Sequence, residues 1–174
     1  YPHVTFFFNG GSSLMLPYED RFMPDSPKVK TYDLAPEMSA NKVTTKILEG
    51  LDLNYDLIIA NYANPDMVGH SGNLTATIKA CEKIDSELKL ILDKLKKKKS
   101  KMLIISDHGN CEQMIDSLTG EPHTAHTLNL VPIFLIGHGA AYKLKNGLND
   151  NEVILVPKNI ENKGIFEKFF QLFS

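Results

Sequence analysis

KMLIISDHGNCE, residues 101–112, sets how the rest of the chain is read. Met102 to Ile105 is a short apolar run, bounded by a lysine before and Ser106 after, and reads as a buried strand. Asp107 and His108 follow at once, then Gly109 and Asn110. A strand that ends in Asp-His and then turns sets a carboxylate and an imidazole at its carboxyl end, where open α/β sheets build their sites. Taken alone, the pair also reads as a strand-end turn, with Asp capping the backbone and His solvated, because Asp is a common turn residue. The segments on either side bear on which reading holds.

Upstream, a long helix is expected from about Thr75 to Lys98, since Ile78, Cys81, Ile84, Leu88, Ile91, Leu92 and Leu95 recur at helical spacing. Lys94, Lys96, Lys97, Lys98, Lys99 and Lys101 crowd its end, where positive charge complements the helix dipole. A nucleic-acid patch is the sharper reading of those lysines, but no aromatics interleave them and the chain is not basic. Before the helix, residues 61–73 (NYANPDMVGHSGN) are loop-like in their Asn, Pro and Gly content, and Leu57 to Ala60 forms a second apolar strand. Ser39 is a candidate N-cap for a helix through Val43, Ile47 and Leu48 to Gly50. Lys28 to Asp33 reads as a short edge segment and Ser12 to Pro27 as a loop. His3 to Phe8, β-branched and aromatic, reads as a strand stopped by Asn9-Gly10-Gly11. Downstream, Val131 to Ile136 is a further strand, Val153 to Val156 an edge strand and Ile165 to Phe173 a terminal helix. Strands separated by helical stretches imply an α/β fold: a mostly parallel sheet with helices on both faces.

The chain has 174 residues, 43% of them hydrophobic, enough for one domain with a core. Its net charge of −2 gives no reason to expect nucleic acid or a membrane surface as partner. No apolar run is long enough to span a bilayer. Cys81 and Cys111 are far apart and form no pattern, which fits a reducing, cytoplasmic compartment. The N-terminus lacks a basic leader and opens at a strand edge, so the chain is expected to be a piece of a longer one.

The Asp and His residues just outside the strands form a pattern. Asp66 and His70 follow the second strand, Asp107 and His108 the central one, and His126 precedes Val131. Neighbouring strands lie about 5 Å apart, so loops leaving them can converge. Imidazole with carboxylate suits Mn²⁺, Zn²⁺ or Fe²⁺. Five ligands exceed the needs of one tetrahedral ion. Adjacent side chains on extended backbone point opposite ways, so Asp107 and His108 can face two ions. Two ions about 4 Å apart clamp the oxygens of a phosphoryl transfer. The plainer readings are that Asp66 caps a short helix with His70 on its surface, and that His126 is a loop histidine. Spacing does not separate His126 from His123, and His3 and His138 have no partner pattern.

Five blocks carry a resemblance: His3–Gly11 (HVTFFFNGG), Tyr32–Ala40 (YDLAPEMSA), Asn64–Gly72 (NPDMVGHSG), Ser106–Asn110 (SDHGN) and His123–Thr127 (HTAHT). In this order they resemble cofactor-independent (2,3-bisphosphoglycerate-independent) phosphoglycerate mutase, within the alkaline phosphatase superfamily. The resemblance covers roughly residues 1–137. It implies an alkaline phosphatase-like fold and a two-domain parent, monomeric, with a transferase domain inserted between two stretches of a phosphatase domain. Residues 1–174 are then a single partial domain, the second of those stretches.

By the family pattern Asp66, His70 and His126 hold one manganese and Asp107 and His108 another, with Co²⁺, Zn²⁺ or Mg²⁺ as alternatives. The implied reaction interconverts 3-phosphoglycerate and 2-phosphoglycerate through a phosphoserine. The nucleophilic serine is expected outside this chain, and neither Ser71 nor Ser106 matches it. The isolated chain is therefore expected to be inactive and to hold at most one Mn²⁺ tightly. The alternatives are another phosphomutase or phosphatase of the superfamily, or a non-catalytic metal-binding fragment. Ser71 stands where the family usually has Thr, and the tail from Lys143 lacks an expected Asp-Ile-Ala-Pro-Thr block. Cys111, close to Asp107, reads as a reactive thiol or as a buried inert one.

Overall fold

In the computed structural model, residues 3–137 are described; the expected strand at Val153–Val156, the helix at Ile165–Phe173 and His138 lie outside them. Helix α1 spans Ala40–Asp52, past the Gly50 expected to end it. Ser39 stands at its N-cap position, but the hydroxyl donates to the Asp25 carbonyl (2.6 Å) instead of capping the helix. A short helix α2, Asn64–Gly69, forms inside the stretch expected to be loop. Helix α3 covers Leu74–Lys98. Asn73 caps it by accepting from the Ala76 N–H, and Lys99 stops it in the left-handed conformation (φ 54°). Its terminal lysines are partly committed: Lys94 and Lys98 reach Asp52 at 2.5 and 3.7 Å. Among the described residues no helix is long and apolar enough to cross a membrane.

The core lies between α1, α3 and one face of the sheet. Ala40, Ile84, Leu88, Ile91 and Leu95 are buried there, with Ile47, Leu48, Leu51, Met102 and Ile104 packed against them. The α3 stripe therefore faces as its spacing implies, except that Ile78 is 47% exposed. Tyr62 also packs onto this core; burial pushes its hydroxyl up to about 12, and it hydrogen-bonds Thr44 Oγ1 at 2.6 Å. Glu87, 4% exposed, is paired with Lys83 one helical turn away.

Strand β1, Lys101–Ile105, pairs antiparallel with β2, Ile133–Gly137, with Lys101 opposite Gly137 and Ile105 opposite Ile133. Among the described residues this antiparallel pair is the sheet, where a mostly parallel one is expected. β1 is buried on one face only, because side chains alternate along a strand. Met102 and Ile104 join the core, while Leu103 and Ile105 point outward, 59% and 60% exposed.

Three expected extended segments are corrected. His3–Phe8 closes as a π-helical turn, and the Arg21 guanidinium donates to the Thr5 carbonyl (3.2 Å) that a neighbouring strand would have used. Tyr32–Leu34 is a 3₁₀ turn rather than part of an edge strand. At 57–60 Ile58 meets Gly50 of α1 while Leu57 and Ile59 are exposed. That alternation suits a strand, but no ladder forms there among the described residues. β-Propensity measures fit to neighbouring strands, and without them the same residues turn or stay irregular.

Candidate metal centre

Helix α2 brings the first two side chains. Pro65 sits in its first turn, where a missing N–H costs nothing. Asn64 anchors it by donating to the Pro36 carbonyl (2.9 Å), and Val68, wholly buried, packs among Ala76, Ala80, Tyr32 and Met38. One turn separates Asp66 from His70, so both leave the same face. His70 Nε2 lies 3.2 Å from Asp66 Oδ1.

The connection between β1 and β2 brings the others. It folds back on itself, Ile115 bridging Pro122 and Gly109 bridging Thr127, with the Thr127 N–H donating to the Gly109 carbonyl at 2.9 Å. A Cβ on Gly109 would collide with Thr127 Oγ1, so the two limbs meet this closely only at glycine. At Gly72 (φ +70°), the turn that ends α2 likewise lets Pro122 and Thr124 approach.

His126 Nε2 comes to 3.1 Å from both Asp66 Oδ1 and His70 Nε2. The His108 ring stacks on His126 with centroids 3.6 Å apart, and Asp66, His108 and His126 offer ligand atoms within 4.8 Å of one another. Asp107 stands at the edge, its Oδ2 3.5 Å from His108 Nε2 and its side chain 63% exposed. These two side chains approach each other instead of diverging, because the backbone has left the strand by Ser106 and the alternation has lapsed. His123 sits in the turn facing Met114, its N–H donating to that carbonyl (2.9 Å); His126 is the histidine set against Asp66.

Hydrogen bonds fix the rings. A carbonyl only accepts, so in a neutral His70 the Nδ1–H donates to the Thr124 carbonyl (2.6 Å) and Nε2 presents a lone pair. His108 Nδ1 faces the Gly109 carbonyl at 3.3 Å in the same sense. The His70 lone pair is then aimed at a carboxylate oxygen, and two acceptors this close call for a cation or a proton between them. The triangle of Asp66 Oδ1, His70 Nε2 and His126 Nε2, with sides of 3.1–3.2 Å, is near the roughly 3.3 Å between ligands of one tetrahedral ion. Two imidazoles and a carboxylate suit a borderline divalent metal.

Sequence reasoning missed two supports. Asn110, 4% exposed, donates from Nδ2 to Asp66 Oδ1 (2.7 Å) and to the Asp66 carbonyl (3.3 Å). Its place directly after the Asp-His-Gly was the available signal. The Thr124 carbonyl had none, since any residue supplies one. Ser71 and Ser106 are committed locally, their hydroxyls donating to the Val68 and His108 carbonyls at 2.6 Å each. Cys111 Sγ lies 3.9 Å from Cys81 Sγ, across 30 residues of chain. Cys81 donates; that bond and burial push its thiol up, while Cys111, as acceptor, is held below the usual thiol range.

The family described as the Metalloenzyme superfamily matches residues 1–162. The 2,3-bisphosphoglycerate-independent phosphoglycerate mutase of Ruegeria pomeroyi is 58% identical over 147 residues, 84% of this chain and 29% of its own length. That of Agrobacterium fabrum is 57% identical over 148 residues, 85% of this chain and 29% of its own. The crystal structure of Leishmania mexicana phosphoglycerate mutase at low cobalt concentration superposes with a TM-score of 0.72 at 32% identity, covering 79% of this chain and 27% of that one. The chain thus spans less than a third of the length of the curated relatives it matches. With a family match over nearly its whole length and Asp and His donors gathered at one rim, the chain belongs to the metalloenzyme superfamily.

Proposed function

We propose that residues 1–174 are one partial domain of a cytoplasmic, monomeric 2,3-bisphosphoglycerate-independent phosphoglycerate mutase. The enzyme interconverts 3-phosphoglycerate and 2-phosphoglycerate by phosphoryl transfer through a serine carried elsewhere in the longer protein. Chain outside this segment completes an alkaline phosphatase-like, mostly parallel sheet. Asp66, His70 and His126 hold one divalent ion and Asp107 with His108 contribute to a second; manganese is the ion of choice, with cobalt, zinc and magnesium as alternatives. When bound, the ions supply charge neutralisation for the phosphoryl group and an acidified attacking hydroxyl.

The chain's own residues do the positioning. Thr124 holds the His70 tautomer with Nε2 open, and Asn110 holds the Asp66 carboxylate by a charge-assisted hydrogen bond. The observation that supports the reading most is the Asp66–His70–His126 triangle, whose ligand atoms face one another at 3.1–3.2 Å. The similarity to phosphoglycerate mutases supports phosphoglycerate as the substrate.

The test is turnover of 3-phosphoglycerate by the full-length protein with Mn²⁺ and without 2,3-bisphosphoglycerate. Turnover should vanish on chelation, fall in Asp66→Ala, and be absent from the isolated 174-residue chain. A full-length protein that is inactive with Mn²⁺, Co²⁺, Zn²⁺ and Mg²⁺ alike, or that needs 2,3-bisphosphoglycerate, rules the assignment out.

A further inference from the structure

Among the described residues Glu112 makes no hydrogen bond or ion pair with the five Asp and His residues, yet its carboxylate accepts from residues that flank them in the chain. Its Oε2 accepts from the Asn110 N–H at 2.6 Å. Its Oε1 accepts from the Thr127 hydroxyl and, at 2.9 Å, from Asn129 Nδ2. Asn110 follows His108 by two residues and itself donates to Asp66, and Thr127 follows His126 directly. One carboxylate therefore spans the limb that leaves β1 and the limb that enters β2, and through Asn110 it reaches α2. The space it fills is reserved: a Cβ on Gly109 would collide with Glu112 Oε1 as well as with Thr127 Oγ1. Burial pushes the Glu112 carboxyl up, but the bonds from Thr127, Asn129 and the backbone outweigh it and hold it below the usual carboxylate range.

We propose that Glu112 is a positioning residue for the metal centre: its carboxylate clasps Asn110, two residues after His108, to Thr127 and Asn129, and so keeps His126 and His108 within ligand distance of Asp66. The proposal rests on the metal-binding reading above. It adds to that reading a residue outside the ligand set whose loss opens the site. Partners hydrogen-bonded directly to metal ligands commonly affect affinity by roughly 10- to 100-fold; Glu112 acts one bond further out, through Asn110 and Thr127, which sets the expected effect at the lower end of that range.

The experiment compares Glu112→Ala, Glu112→Gln and Thr127→Val with the wild type in the full-length protein. Mn²⁺ affinity is measured by calorimetric titration, and amide hydrogen exchange is measured in the metal-free protein. Glu112→Ala should weaken Mn²⁺ binding about 10-fold. It should also speed exchange at the Thr127 amide, which is bonded to the Gly109 carbonyl rather than to Glu112. Glu112→Gln retains one acceptor oxygen and should fall between wild type and Ala; Thr127→Val cuts one arm and should do the same. If Glu112→Ala destabilises the fold too far to titrate, these two milder variants carry the test. A lowered melting temperature with Mn²⁺ affinity within twofold of wild type would mean a merely structural residue and would overturn the proposal. Unchanged exchange at Thr127 would overturn the clasp. A wild-type protein that binds no Mn²⁺ would instead remove the metal reading, while the exchange data still decide whether the clasp exists.

Discussion

Replacing Asn110 with Ala separates two quantities that usually move together. The side chain is 4% exposed and donates at 2.7 Å to the Asp66 carboxylate and at 3.3 Å to the Asp66 carbonyl. A hydrogen bond to a charged group contributes about 1.5–3 kcal/mol, and a longer neutral one about 0.5–1 kcal/mol. Against this stands Asn110 Oδ1, buried without a hydrogen-bond partner in the structure, a state that costs about 1–3 kcal/mol. Alanine removes the liability together with the bonds. The net loss of metal-free stability should therefore be small, about 1 kcal/mol. Ion binding gains no such offset, because Asp66 loses the group that fixes its reactive oxygen, and Mn²⁺ dissociation should rise about 10-fold or more. Urea unfolding in chelator gives the first quantity and calorimetric titration of the full-length protein gives the second. Mn²⁺ affinity within twofold of wild type would refute the claim that Asn110 holds Asp66 for the ion. A stability loss above about 4 kcal/mol would refute the cancellation.

Further outcomes are expected. Ile84→Ala should cost about 2–5 kcal/mol in urea unfolding, while Ile78→Ala, on the same helix but 47% exposed, should stay within about 0.5 kcal/mol; equal losses would contradict the described facing of α3. Gly109→Ala should destabilise by about 1–3 kcal/mol through the collision with Thr127 and Glu112, and an unchanged urea midpoint would show that the limbs can part freely. Since the folded Glu112 carboxyl is held below its ordinary value, its contribution is complete above the ordinary carboxylate range and is lost as pH falls through the lower folded value. The protection of the Thr127 amide, its exchange rate taken relative to the intrinsic rate at each pH, should therefore fall only in acid, and Glu112→Gln should abolish that fall. The outward pair Leu103 and Ile105 should make the isolated 174-residue chain self-associate, and Leu103→Lys should reduce the sedimenting aggregate.

Helix α3 could be read directly from the repeat of its apolar residues, and strand β1 from a short apolar run between Lys101 and Ser106. Asp66 and His70 were legible as a pair, and the helix that aligns them was legible only as the plainer alternative to a metal site, the stretch itself being read as loop. Six residues with Pro and Gly look like a loop, and α2 exists because Val68 is buried and Asn64 is tied to Pro36. His3–Phe8 and 57–60 misled for a shared reason: their composition asks for a strand, and a strand is a relation to another segment. Asn110 carried a signal in its place after Asp-His-Gly, but its contact with Asp66 depends on α2 packing beside it; the role of Glu112 was out of reach because it depends on where two limbs of one connection cross, which no periodicity encodes. The nearness of Cys81 and Cys111 is hidden in the same way.

The donor atoms come from segments that meet only in space. Asp66 and His70 ride on a single helical turn anchored through Asn64 and Val68, whereas His126 arrives on the return limb of an irregular connection. On the metal-binding reading proposed above, an ion held among them is also a cross-link between those segments, so occupancy and the packing of the two segments are linked in one equilibrium.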